Sequence, residues 1–335
     1  MRIAVDAMGH DTGPQIPVEA ALTAALEGTP VTLVGDEARI RQLLSALGGA
    51  APEERLRIVH APDVVEMGDK PSRALRKKPE ASVRVGARRV AEGLEDAFVS
   101  AGNSGAVMGA GLLEVGTLPG VERPALASVF PTRKHPVVVL DLGANVEPTP
   151  VQLAQFAVMG AAYAEAVLGR AAPRVAVMAN GSEEVKGNHL TRATHMLLKQ
   201  TRLDYRGYCE GGDVFAGDLD VVVTDGFTGN VVLKTLEGLV KTVRGLVKER
   251  LETSLLAGAG ALLMKDVFME LKDRFDYEGA GGAPLLGLSR PVVVAHGSST
   301  PYAMQSAIRA AGALVRTGVT EVVARRVLDH AALWG

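Results

Sequence analysis

Short apolar runs rich in β-branched residues recur along the chain, each closed by glycine or a polar turn and followed by a longer stretch of helical period. That alternation predicts βαβ units and a parallel sheet. The runs place strands at 2–6, 31–35, 55–60, 97–101, 127–130, 137–142, 174–179, 219–225 and 291–296. Several are almost wholly apolar, as strands covered on both faces are. Helices are predicted at 16–26, 37–47, 83–92, 151–168, 231–251 and 302–315. In the fifth, Val232, Leu236, Leu239, Val240, Val243 and Val247 keep helical spacing while Lys234, Lys241 and Lys248 follow another line, which predicts one buried and one solvated face. The fold class expected is α/β, a mainly parallel sheet covered by helices on both faces.

Composition narrows the function without naming it. Of 335 residues, 47% are hydrophobic and 22% charged, enough for a full core. A formal net charge of −2 and 4% aromatic residues supply neither a basic field nor stacking platforms, which argues against nucleic acid. The lone cysteine, Cys209, allows no internal disulfide and no cysteine-rich zinc site. Asp6 interrupts the first apolar run, so no signal-peptide core is read there, and no apolar stretch is expected to approach the roughly 20 residues that span a bilayer. A cytoplasmic location follows as the expectation, with contact at a membrane surface left open.

Four glycine-rich turns follow predicted strands: Gly102-Asn103-Ser104-Gly105, Asp141-Leu142-Gly143-Ala144-Asn145, Asp225-Gly226-Phe227-Thr228-Gly229-Asn230 and His296-Gly297-Ser298-Ser299. In open α/β sheets ligands sit at this carboxyl edge. Glycine lets backbone N–H groups approach a ligand, and a following helix adds its positive dipole end, so such turns suit an anion. Thr228 and Asn230 offer side-chain donors. Asp225, itself anionic, fits better as an organiser of the turn. Lys234 lies one turn into the next helix, and its side chain can lean back to the anion. Lys186, in a glycine-flanked loop after the strand at 174–179, is a second cation for a phosphate oxygen. Neither a Walker spacing nor a Gly-x-Gly-x-x-Gly after the first strand is present, so ATP and NAD lack support and no cofactor is expected.

Gly102-Asn103-Ser104-Gly105-Ala106 is close to a nucleophile elbow, and Ser104, Asp225 and His296 stand in the chain order of an α/β-hydrolase triad. A serine hydrolase or thioesterase is therefore the alternative function, weakened by Ala106 at the fifth position and by the missing oxyanion motif. The seven histidines show no metal-ligand spacing. A basic cluster of Lys70, Arg73, Arg76, Lys77, Lys78, Arg84, Arg88 and Arg89 is either a solvated helix face or a dock for an acidic partner. Residues 255–264 carry no charge but are flanked by Glu252 and Lys265; this apolar tip suits a membrane interface, a dimer contact or a buried turn.

The segments RIAVDAMGHD, FVSAGNSGAVM, LDLGAN, EEVKGN, VVVTDGFTGNVVLKTLEG, GGAPLLGL and HGSS, in that order, resemble the bacterial phosphate acyltransferases, the PlsX family of acyl-carrier-protein:phosphate acyltransferases, along nearly the whole length. The chain departs from the family pattern at His10, where glycine is usual, at Ser104, where threonine is common, and at Gly212, where arginine is typical. The resemblance implies an isocitrate and isopropylmalate dehydrogenase-like fold in one catalytic domain over 1–335, with a helical hairpin at about 231–275 carrying the apolar tip. It also implies a homodimer that is peripherally membrane-associated. The implied reaction moves a long-chain fatty acyl group from acyl carrier protein to inorganic phosphate, giving acyl phosphate for phospholipid synthesis. An acyl-phosphate-using glycerol-3-phosphate acyltransferase is then a possible partner. On that reading Asn103, Ser104, Asn145, Asp225, Thr228, Gly229 and Lys234 are expected around phosphate and acyl group. Lys186, Asn230, His296 and Ser298 are expected to act in catalysis.

Overall fold

In the computed structural model, which describes residues 1–49, 51–274, 279 and 281–334, the predicted strands gather into two sheets. The first holds β1 (Ile3–Asp6), β2 (Val31–Gly35), β3 (Leu56–His60), β4 (Ala97–Ser100), β5 (Ala125–Leu126), β11 (Ala283–Leu286) and β12 (Val292–Val294), in the order β3-β2-β1-β4-β12-β11-β5. The second holds β6 (Ser128–Phe130), β7 (Val137–Leu140), β8 (Arg174–Met178), β9 (Asp204–Cys209) and β10 (Val221–Val223), in the order β6-β7-β10-β8-β9. Pairing is parallel from β3 to β12 and from β7 to β9; β11, β5 and β6 run antiparallel at the edges where the sheets approach. Val5 pairs with Leu33 and Val99, and Val222 with Val139 and Ala176.

Wholly buried runs form the centre of each sheet: β1, β2, β4, β7 and β10 have every residue buried. Such strands need cover on both faces, and helices Gln15–Leu26, Ser82–Ala91, Pro150–Leu168 and Pro301–Thr317 supply it. Pro150–Leu168 starts from a capping box of Thr149 and Gln152, with proline at its first position, and ends at Gly169 in the left-handed conformation. It corrects the expectation that no apolar stretch approaches spanning length. By length and composition it would pass, yet Leu153, Phe156, Met159 and nine further residues are buried in the fold. At Gly160 a Cβ would come within 2.6 Å of Leu140 and Val221, so glycine sets how closely this helix lies on the sheet.

The 28-residue helix Gly226–Thr253, followed by Leu255–Leu263 and Lys265–Arg274, departs from the expected face pattern. Val232, Leu233 and Leu236 pack on the second sheet, but Leu239, Val243, Leu246 and Val247 are exposed. The apolar stripe therefore runs past the end of the core that its first turns cover. Leu256, Leu262 and Leu263 are exposed too, at 87%, 76% and 90%. Residue 275, the last of the expected hairpin, lies outside the described residues.

Candidate active site

The turn at Asp225 is the first turn of a helix. Asp225 caps Gly226–Thr253: Oδ1 accepts from the Thr228 amide at 2.8 Å and Oδ2 from the Thr228 hydroxyl at 2.8 Å. Gly226 donates its N–H to Asn145 O at 2.8 Å, and a Cβ there would stand 2.6 Å from the same oxygen. At Gly229 a Cβ would overlap the Asp141 carbonyl oxygen. The helix start is thus wedged onto the turn that follows β7.

That turn is built around Asp141, fully buried. Its Oδ1 accepts from the amides of Leu126 (2.8 Å) and Ala144 (3.2 Å), and its Oδ2 from the amide (2.5 Å) and side-chain Nδ2 (3.0 Å) of Asn145. Burial pushes the Asp141 carboxyl above its usual range, against the pull of these donors. Asn145 also donates Nδ2 to Pro124 O at 2.8 Å, so its amide holds the fold together. Asn230 is exposed and stands over Gly143.

The amides of Gly226, Thr228 and Gly229 are bonded to Asn145 O, Asp225 Oδ1 and Asp225 O. These three amides of the expected cradle are therefore engaged within the fold, while the Phe227 amide at the same helix start makes no hydrogen bond among the described residues and the helix keeps its dipole. Lys234 Nζ lies 3.4 Å from His296 Nε2 and 2.9 Å from Glu237 Oε2. His296 Nδ1 faces the Ser298 amide at 3.2 Å and the Ser298 hydroxyl at 2.9 Å. An amide can only donate, so Nδ1 accepts, and in the neutral ring Nε2 carries the proton. Two donors, an ammonium and an imidazole N–H, thus converge from different sheets at one point. An acceptor between them, above all an anion, satisfies both.

The other turns brace this pair. Asn103 caps the helix Ser104–Ala110 through Oδ1, which accepts from the Ala106 amide at 3.1 Å, and it donates Nδ2 to Met67 O at 2.8 Å. Ser104 is exposed at the same helix start. His10 donates Nε2–H to Ser299 O at 2.9 Å, its Nδ1 accepting from the Thr12 amide, so the residue that departs from the family pattern straps the first turn to the His296 turn. Asp6, buried at the end of β1, accepts from Ser100 Oγ at 2.7 Å, and burial pushes its carboxyl up. Sequence reading missed Asp6 as a brace, though a lone carboxylate in an otherwise apolar strand is a signal for one. Lys186 follows β8, the neighbour of β10, at the same carboxyl edge, and its amide donates to Glu183 O at 2.9 Å. A cleft of about 270 Å³ opens beside Asn145, bordered by Met108, Arg123 and Glu147. Cys209 is buried, and burial pushes its thiol up to about 12.

The hydrolase triad is not assembled. Both Asp225 oxygens are held by Thr228, and His296 turns Nδ1 to Ser298 and Nε2 to Lys234. A triad histidine needs Nδ1–H facing a carboxylate and Nε2 accepting from serine, the opposite tautomer.

The sequence profile of the family described as "Fatty acid synthesis protein" matches residues 1–322. A phosphate acyltransferase of Myxococcus xanthus (strain DK1622) is 48% identical, covering 100% of this chain and 95% of the relative. One from Geotalea uraniireducens (strain Rf4) is 46% identical, covering 100% and 96%. The chain belongs to this family of phosphate acyltransferases. It is an enzyme, and its activity at that level is transfer of an acyl group to phosphate. The fold is shared more widely. A phosphotransacetylase, EutD, from Staphylococcus aureus superposes with TM-score 0.58 at 19% identity, covering 93% of this chain and 94% of its own. A 4-hydroxythreonine-4-phosphate dehydrogenase from Klebsiella pneumoniae superposes with TM-score 0.57 at 16% identity, covering 94% and 98%. The family membership confirms the resemblance read in the sequence, and the structural likeness confirms the α/β fold class.

Proposed function

We propose that the chain transfers a long-chain acyl group from the phosphopantetheine thioester of acyl carrier protein to inorganic phosphate, releasing acyl phosphate for phospholipid synthesis. The observation that carries this reading is the convergence of Lys234 Nζ and His296 Nε2–H, 3.4 Å apart, at the positive end of helix Gly226–Thr253. Phosphate bound between them, with Asn230 as a further donor and Lys186 as a second cation, is fixed and partly neutralised. One phosphate oxygen attacks the thioester carbonyl, forming a C–O bond; the tetrahedral intermediate collapses with C–S cleavage, and the thiolate leaves. Phosphate is already anionic and a thiol leaves readily near its reference pKa of about 8.5, so positioning and charge stabilisation are the main contributions. Ser298 Oγ, 2.9 Å from His296 Nδ1, would turn its one proton from that nitrogen to the carbonyl oxygen as it becomes an oxyanion. The cleft at Asn145 has room for the thioester arm, and Met108, in the second turn of Ser104–Ala110, borders it.

The site draws on turns from both sheets, which supports one catalytic domain over the whole chain. The exposed apolar residues Leu256, Leu262 and Leu263 support peripheral attachment to a membrane from the cytoplasmic side, where a glycerol-3-phosphate acyltransferase would take the product. A homodimer belongs to the same proposal. The test is acyl-phosphate formation from acyl carrier protein thioester and phosphate, with Asn230→Ala beside wild type. The variant should lose at least tenfold in kcat/KM for phosphate. Release of the carrier-protein thiol by wild type without phosphate, or a covalent acyl adduct on Ser104 or Cys209, would overturn direct attack.

A further inference from the structure

The basic cluster between residues 70 and 89 is divided by its contacts. Lys78 pairs with Asp69 at 2.8 Å, Arg84 with Glu114 at 2.5 Å, Arg88 with Glu80 at 3.2 Å and Glu114 at 3.3 Å, and Arg89 with Glu95 at 2.8 Å. These four are neutralised inside the fold. Lys70, Arg73, Arg76 and Lys77 are exposed, and none of them pairs with a carboxylate among the described residues. They cap and line the short helix Pro71–Lys77, about 10 Å long at 1.5 Å per residue, so four unneutralised cations share one small surface. Asp63, Glu66 and Glu92 are the carboxylates near the cluster in sequence that make no ion pair among the described residues.

This surface borders the active site. Met67, just before it, accepts from Asn103 Nδ2 through its carbonyl at 2.8 Å, and its terminal methyl fills the space beside Gly297, where a Cβ would overlap it. Gly105, next to Ser104, packs on Pro71: a Cβ would stand 2.9 Å from Pro71 Cγ. One loop therefore runs from the His296 turn to the basic helix without leaving the carboxyl edge of the first sheet.

We propose that the exposed face of helix Pro71–Lys77, with Lys70, Arg73, Arg76 and Lys77, docks an acidic face of the protein that delivers the acyl thioester. This rests on the function proposed above, and locates the donor. A protein with a matching negative patch, settled there, holds its thioester arm over the rim between Met67 and His296. Opposite charges at a rim act mainly on encounter and register, and salt screens them over about 10 Å at 0.1 M. An anionic membrane is the less favoured occupant, because the exposed apolar residues that would accompany it, Leu256, Leu262 and Leu263, lie on a separate element.

Binding and turnover are measured separately. Binding of acyl carrier protein is followed by calorimetry for wild type, for Arg73→Glu with Arg76→Glu, for the milder Arg73→Gln with Arg76→Gln, and for Lys241→Glu with Arg244→Glu on the protruding helix. Turnover is compared with acyl carrier protein thioester and with a neutral acyl-N-acetylcysteamine thioester. The expected result is at least a tenfold rise in Kd and in KM for the carrier protein in the Arg73 and Arg76 reversal. A smaller rise is expected with the glutamines, with kinetics on the small thioester and on phosphate within twofold of wild type. Raising salt from 0.05 to 0.3 M should weaken wild type more than the reversal. The proposal is overturned if wild type does not bind the carrier protein, if only the Lys241 and Arg244 variant weakens it, or if the Arg73 and Arg76 variants lose phosphatidylglycerol vesicles while keeping the carrier. If carrier binding shows the expected pattern but wild type forms no acyl phosphate, the docking surface stands and the proposed reaction fails.

Discussion

At its first turn the helix Gly226–Thr253 is wedged against Asp141 and Asn145 with no room for a methyl group at Gly229, whereas from Leu239 onward its apolar side chains stand in solvent, Leu239 at 58% and Leu246 at 62% exposure. The same 3.6-residue periodicity runs through both ends. What differs is the presence of a surface to receive it: close steric contact fixes the near end, from which Lys234 reaches His296. The far end is held by its own backbone hydrogen bonds and is open to a partner outside the chain. Periodicity tells which residues share a face, but only the third dimension tells where the receiving surface stops.

Substitutions along this helix should therefore fall off sharply in their effect on the folded chain. Gly229→Ala should be the most damaging, lowering stability by about 3 kcal/mol through overpacking and abolishing phosphate use, as read by urea unfolding and the acyl-phosphate assay. Retained stability would show that the near end is not wedged. Lys234→Ala, at a half-exposed position, should leave unfolding nearly unchanged. It should raise the KM for phosphate about 10- to 100-fold, as expected for a lost charged hydrogen bond of roughly 1.5–3 kcal/mol. An unchanged KM would remove Lys234 from the site. Leu256→Glu, at the far end, should change stability by less than about 0.5 kcal/mol and leave turnover of soluble donor intact, while releasing the protein from anionic vesicles in a flotation assay. Persistent flotation would reassign the exposed apolar side chains to another contact. Smallest of all is the effect at Cys209. With its thiol pushed up to about 12, the thiolate is scarce at pH 8, and alkylation of native protein should proceed only as the chain unfolds, with Cys209→Ala active. Fast labelling of the native state would contradict this.

Fold class was legible because strands such as Val-Val-Val-Leu at 137–140 have no alternative but burial on both faces. The strand Asp204–Cys209 was not, since Asp-Tyr-Arg-Gly-Tyr-Cys at a sheet edge is polar on its open side and carries a glycine. Ala283–Leu286 was missed for another reason: it is apolar and paired on both sides, but its proline reads as a break in a strand. The Asp225–Asn230 segment was read as a glycine turn, because two glycines lower helix propensity; the contacts of Gly226 and Gly229 override that. Of the candidate site, the glycine-rich turns were legible and Asp225 caps its turn as read, but the meeting of Lys234 with His296 was not legible. They are 62 residues apart and belong to different sheets, so their approach depends on how β10 and β12 are set against each other. The engagement of Asn103 and Asn145 by backbone carbonyls was equally invisible, because an exposed and a committed asparagine have the same letter.

The division of the donor pair between sheets has a mechanical consequence. On the proposed function, phosphate lodged between Lys234 and His296 would be bonded to elements of both sheets at once, and the substrate would double as a staple. At a hundredfold excess over its Kd, a ligand that binds only the folded chain adds about 2.7 kcal/mol of stability, comparable to a disulfide. A chain whose one cysteine is buried and unpaired would thus draw from its own substrate the cross-link it otherwise lacks.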